Sequence, residues 1–180
     1  VQQLLPQLHS QREYALYGHS MGCVIVYELV QRLLAAGQPA PKHVFLSGRQ
    51  PMHMAYHTAP LHGLPDDVFL ENIRRIGGTP AQFFDMPELV KAFTPILRND
   101  YRLIEQYQFQ APIAKFPCDV TFFFSDNDKL VSREAAETWQ AYTDHGFHFH
   151  AFEGDHFFVL EQYPRMCGII SRVLCPVSVA

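Results

Sequence analysis

The chain has 180 residues, of which 48% are hydrophobic and 18% charged, the composition of one ordinary globular domain with room for a sizeable core, which excludes intrinsic disorder. Its net charge of −4 is spread without basic runs, which excludes the electrostatic footprint of a nucleic-acid binder and the polybasic patch of an anionic-membrane binder. No apolar stretch is long enough to span a bilayer, and the start VQQLLPQLHSQR has neither the basic opening nor the long apolar core of a signal peptide, so the cytoplasm is the expected compartment.

In chain order, one short helix is expected before Tyr14, and residues 14–17 (YALY) read as a buried strand. Residues 21–36 then carry apolar side chains at Cys23, Val26, Val30, Leu33 and Leu34, and the pattern ends at Gly37 and Pro39, the signature of a helix. HVFLSG (43–48) and DVTFFFS (119–125) are short β-branched and aromatic runs bounded by turn residues, hence two more buried strands. SREAAETWQAY (132–142) is a helix that Ser132 can cap, with Glu134 in its first turn. FHFHAF (147–152) alternates as a strand does, and a last helix runs from about Phe158 to Leu174. The sum is an α/β fold on a mostly parallel sheet.

Between the second and third strands the alternation stops for about sixty residues. Asp66 precedes a helix with Phe69, Ile73 and Ile76 on one face, closed by Gly77 and Gly78, while TPAQ (79–82) and DMPE (85–88) have the spacing of capping boxes. Leu89, Phe93, Ile96, Leu103 and Tyr107 continue an apolar stripe that Pro95 must kink. The chain is thus expected to be a single domain over 1–180 with a helical insertion at about 60–110. That insertion either covers a binding site as a lid or packs on the core.

The chemistry centres on Gly18-His19-Ser20-Met21-Gly22, set between a strand and a helix. Two glycines let the chain turn sharply without a Cβ clash and lift Ser20 above the carboxyl edge of the sheet, where the Met21 N–H faces an oxygen bound beside it; the competing role for Ser20 is a simple helix cap. Downstream come Asp126 and Asp128 after a strand and His156 after the last strand, the order nucleophile, acid, histidine. His156 sits in a loop behind Gly154 and ahead of Phe157 and Phe158, from which it can reach a serine on the same edge. His19 is nearer in sequence, but its side chain is expected to point away from Ser20. The pairs His53 with His57 and His148 with His150 have spacings that suit a metal, yet His148 and His150 lie on one face of a single strand with no third ligand in sequence reach, and no metal site is expected. Cys23, Cys118, Cys167 and Cys175 form no CxxC pair and sit in apolar surroundings, so buried free thiols are expected.

Beyond the elbow, GHSMG, SGRQP (47–51), GGTP (77–80), FTPILRNDYRLIEQY (93–107), SDNDKLVS (125–132), the Trp139 helix and GDHFFV (154–159) together resemble the type II thioesterases of non-ribosomal peptide and polyketide synthesis. These are α/β-hydrolases related to the medium-chain fatty acyl thioesterases. The resemblance implies the α/β-hydrolase fold, no metal or diffusible cofactor, and removal of acyl groups from the phosphopantetheine thiol of an acyl or peptidyl carrier protein. It implies Ser20 as nucleophile, Asp128 as acid and His156 as base, with Gly18, His19 and Gly22 forming the elbow. Ser125 and Lys129 stand where the family usually has glycine and proline around the acid, and Asp155 stands where a second glycine usually precedes the histidine. These departures leave Asp126 as a rival acid and let Asp155 perturb His156.

Hydrolases of this fold place several strands before the nucleophile strand and take a second oxyanion N–H from a loop after one of them. Here only one short helix is expected before Tyr14, so the N-terminal part of the fold is expected to be missing. Three functions follow: a carrier-protein thioesterase, a related esterase or acyltransferase, and a non-catalytic carrier-binding module.

Overall fold

The computed structural model describes residues 13–54 and 59–175. The short helix expected before Tyr14, and His57, lie outside the described residues. Two compact units emerge, one made of residues 1–54 with 111–180 and the other of 55–110.

Among the described residues the first unit has four strands, β1 (Ala15–His19), β2 (His43–Ser47), β3 (Asp119–Ser125) and β4 (Phe147–Phe152). They lie in the spatial order β1-β2-β3-β4 and every pairing is parallel. The register sets Ala15 beside His43, His43 beside Asp119, and Val120 beside Phe147. A parallel sheet covered on both faces takes near-continuous apolar runs, and all five residues of β2 are buried. The one polar ring within β2, His43, is satisfied by Thr121 Oγ1 at 2.8 Å. On one face Phe45, Phe123 and Phe152 form a cluster with Phe158, Met166 and Ile169. Met166 and Ile169 are the buried residues of helix α6 (Val159–Leu174). Elsewhere in the core Phe122 stacks on Trp139, and Trp139 lies against Tyr142.

Helix α1 (Met21–Ala35) follows β1 directly and buries Cys23, Val24, Val26, Tyr27, Leu29, Val30 and Leu33. The 132–142 segment divides. Helix α5 spans Arg133–Glu137, the Ser132 side chain accepts the Ala135 N–H as expected, and a 3-10 turn continues over Thr138–Tyr142. The expectation of four buried thiols is corrected: Cys23 and Cys118 are buried, but Cys167 and Cys175 are exposed. Cys167 sits one position after Met166, and one step around a helix turns a side chain by about 100°, off the buried stripe.

In the second unit Arg74 and Arg75 close helix α2 (Asp66–Ile76), whose buried residues are Phe69 and Ile73. Helices α3 (Ala81–Phe84) and α4 (Pro87–Glu105) follow. Neither predicted capping box forms. Pro80 and Met86, not Thr79 and Asp85, occupy the N-cap positions, and no side chain caps either helix. Pro87 explains the second case, because its fixed φ suits the first helical position and starts α4 one residue later than a box headed by Asp85 requires. Within this unit Arg98 pairs with Asp66, donates to the carbonyls of His62 and Leu64, and lies over the Phe69 ring. Glu105 accepts the N–H groups of Leu61 and His62. The apolar stripe predicted on α4 is left outside a core: Leu89, Phe93, Ile96 and Leu103 are exposed, and Thr94 is the buried residue of the helix.

Candidate active site

The carboxyl ends of the four strands carry the candidate residues. Ser20 follows β1, Ser47 ends β2, Asp128 follows β3 and His156 follows β4.

Ser20 occupies the N-cap position of α1 yet makes no side-chain cap hydrogen bond. Its φ is 52°, and among the described residues it is the only non-glycine residue with positive φ. Strain of this kind, of order 1–3 kcal/mol, persists only where the surroundings enforce it. The enforcing contacts are specific. The Ser20 N–H donates to the Ser47 carbonyl at 2.8 Å, and the Cys23 thiol donates to the carbonyls of Ser47 and Gly18 at 3.2 and 3.3 Å. Burial pushes the Cys23 thiol up to about 12, so it stays a neutral donor. The two glycines differ in role. A Cβ on Gly18 would lie 2.4 Å from the Gly22 carbonyl oxygen, whereas a Cβ on Gly22 meets nothing within 4 Å. The expectation that both glycines relieve a clash is therefore corrected to Gly18 alone: Gly22 faces open space, and the tight turn falls on Ser20 itself.

The side chain so presented meets the predicted histidine. Ser20 Oγ lies 3.1 Å from His156 Nε2, and His156 Nδ1 lies 2.8 Å from Asp128 Oδ2. His156 and Asp128 are both buried. The other carboxylate oxygen of Asp128 accepts the Leu130 N–H at 2.8 Å, which fixes the plane of the acid. Asp126, the rival acid, faces elsewhere and pairs with Arg133 at 2.7 Å. Asp155 accepts the Phe157 N–H at 2.7 Å, ordering the turn that carries His156. Ser125, where the resembling family has glycine, donates its hydroxyl to the Gly154 carbonyl and so ties the end of β3 to the same turn.

Met21 is the first residue of α1, so its N–H has no acceptor within the helix. His19 was expected to turn away from Ser20, and its Nδ1 lies 2.9 Å from Ser47 Oγ. Sequence reasoning missed its other neighbour: the His19 and His156 rings are 5.0 Å apart. It also missed Ser47 and Cys23 as elbow ties; the family motif SGRQP contained Ser47, but Cys23 read only as core. Of the histidine pairs, His148 lies 3.7 Å from Asp119, and among the described residues no group of three or more His, Cys, Asp or Glu side chains is placed to hold a metal ion.

A serine presented at a strained strand-to-helix turn on a parallel sheet, with a histidine and a buried acid behind it, is the arrangement of side chains found in α/β-hydrolases. Residues 2–174 match the family described as the thioesterase domain, and the chain belongs to that family. It is 33% identical over 174 residues to linear gramicidin dehydrogenase LgrE of Brevibacillus parabrevis, covering 95% of this chain and 65% of the relative. The solved structure of ClbQ from the colibactin NRPS/PKS pathway superposes with a TM-score of 0.89 at 37% identity, over 96% of this chain and 73% of ClbQ. The type II thioesterase BorB from the borrelidin biosynthetic cluster gives 0.83 at 31% identity, over 96% of this chain and 71% of BorB. The chain thus spans slightly less than two thirds of the length of the curated relative.

Proposed function

We propose that this chain hydrolyses acyl thioesters carried on the phosphopantetheine arm of acyl or peptidyl carrier proteins, in the cytoplasm, with Ser20 as nucleophile. The observation that carries the reading is the strained Ser20, its Oγ 3.1 Å from a histidine that is in turn 2.8 Å from a buried acid. His156 takes the proton of Ser20 as the oxygen attacks the thioester carbon. The thiol then leaves, needing less help from an acid than an amine would. Water activated by His156 hydrolyses the acyl-serine, while Asp128 holds the imidazole tautomer and stabilises the imidazolium. The Met21 N–H, at the positive end of α1, is the proposed oxyanion donor.

The insertion is proposed to serve as the lid that binds the acyl chain. Its own surface supports this, because Leu89, Phe93, Ile96 and Leu103 present apolar area. The dehydrogenase name of one relative is not carried over, since the 18–22 turn presents a side-chain oxygen to a base and offers no Gly-rich cradle for a dinucleotide.

The test combines a covalent probe with two substrates. A fluorophosphonate should give one adduct, on the peptide containing Ser20, and hydrolysis of an acyl-carrier thioester should exceed that of a simple oxygen ester. An adduct elsewhere sinks the assignment. Equal rates point to a general esterase, acyl transfer to an added acceptor points to an acyltransferase, and carrier binding without an adduct points to a binding module.

A further inference from the structure

We propose that His19 is a positioning residue, a ring wedged against the His156 imidazole that holds Nε2 on Ser20; the proposal rests on the catalytic reading above. The geometry is that of a fitted part. The His19 ring centroid lies 5.0 Å from that of His156, and Phe157 lies 5.0 Å from His156 and 6.1 Å from His19, so the three rings form one cluster around the base. His19 is itself held in place by Ser47 Oγ on Nδ1, and Ser47 Oγ in turn lies 2.8 Å from the Tyr17 hydroxyl. Beneath both imidazoles the chain has no side chain. A Cβ on Gly48, whose φ is 65°, would lie 2.4 Å from His19 Cε1 and 3.3 Å from His156 Cε1. Phe158 meets the His19 ring edge-on at 6.2 Å.

The far nitrogen of His19, Nε2, is buried and has no hydrogen-bond partner, an arrangement that costs free energy and is retained here beside the base. Ser47, Phe157, Phe158 and the His156 ring face His19, and Asp128 acts on it through space. Burial, and then the neighbouring His156, push its pKa down to about 4, while Asp128 acts in the opposite sense. His19 is therefore neutral at neutral pH. That matters because His156 becomes a cation in the reaction, and a second cation at this distance would oppose it.

Wild type, His156→Ala, His19→Ala, His19→Phe and His19→Gln are compared by the rate at which a fluorophosphonate labels Ser20 and by the low-field proton signal of His156 Nδ1. If the ring does the positioning, His19→Ala slows labelling roughly tenfold or more, since small misplacements of a base are costly. It also broadens the His156 signal, while circular dichroism is unchanged. His19→Phe, which keeps a neutral ring, stays within about threefold of wild type, and His19→Gln, which keeps only a polar tip for Ser47, does not. Wild-type labelling and signal in His19→Ala overturn the proposal. Should His19→Ala fail to fold, the other two variants decide: rescue by Gln and not by Phe makes the tie to Ser47 the purpose of His19. If the wild type is not labelled at Ser20, or His156→Ala is labelled equally fast, the catalytic reading itself falls and this proposal with it.

Discussion

His156 Nε2 lies 3.1 Å from Ser20 Oγ although 136 positions separate the two residues. Among the described residues, the strands that launch them, β1 and β4, are the outer pair of a four-stranded sheet, and three strand spacings amount to about 14 Å. The loops after β1 and β4 must therefore converge over the ends of β2 and β3, where Gly48 leaves room. His156→Ala should cut turnover by about three orders of magnitude or more while leaving carrier binding near normal, because the base acts on the transition state and not on docking. Steady-state kinetics beside a carrier-binding assay check this.

Asp128 and Asp126 offer a sharper contrast. Asp128 is buried against His156 Nδ1, and Asp126 is tied to Arg133 on the surface. Asp128→Asn should lower kcat by about three to four orders of magnitude, since the amide favours the wrong imidazole tautomer. Asp126→Asn should change kcat only a few-fold, because a surface ion pair contributes about 0–1 kcal/mol. The reverse ranking would reassign the acid.

The elbow glycines should respond in opposite ways. Gly18→Ala forces a Cβ to 2.4 Å from backbone, and relief of such a clash moves the turn, at about 1–3 kcal/mol or more. Gly22→Ala meets open space within α1 and should be neutral or stabilising by up to about 1 kcal/mol. Urea unfolding of both variants, with the labelling rate of Ser20, measures the difference.

His19 also makes stability depend on pH. Its folded pKa is depressed to about 4 by burial and by His156, below the unfolded value of about 6.5. Below about pH 6.5 the unfolded chain takes up a proton that the folded chain refuses, so the folded state loses ground as pH falls through the window from about 6.5 to 4. The contribution is on the order of 2–3 kcal/mol across that window. His43 and His150 are depressed in the same direction by their own burial, so the effect of His19 is read as a difference. Between pH 7 and pH 4.5, His19→Phe should lose less stability than the wild type in urea titrations.

The exposed face of α4 carries the proposal for the acyl chain. Phe93→Asp should reduce hydrolysis of long acyl groups more than that of acetyl, because an apolar cover interacts with the chain and acetyl offers it little to bind. A series of carrier-bound acyl lengths tests this. Equal losses on acetyl and long chains would make the residue structural.

Strand and helix positions were legible because they are local. HVFLS and DVTFFFS are apolar runs of strand length between turn residues, and α1 shows its buried face at helical spacing; periodicity records burial directly. The elbow was legible too, since glycine two places either side of a serine between strand and helix marks a sharp turn, although Gly18 alone proves sterically required. The sequence also narrowed the proposed acid to two aspartates two residues apart. Choosing between them required the fold, which set Arg133 beside Asp126 and His156 beside Asp128. Asp85 misled as a cap because proline at 87 moved the helix start, a local steric effect stronger than a side-chain hydrogen bond. Cys23 and His19 could not be assigned from sequence. Their partners, Ser47 and His156, lie 24 and 137 positions away, and only the parallel order β1-β2-β3-β4 brings those strand ends to one edge, where a thiol, a bare glycine and an imidazole gather around Ser20 and His156.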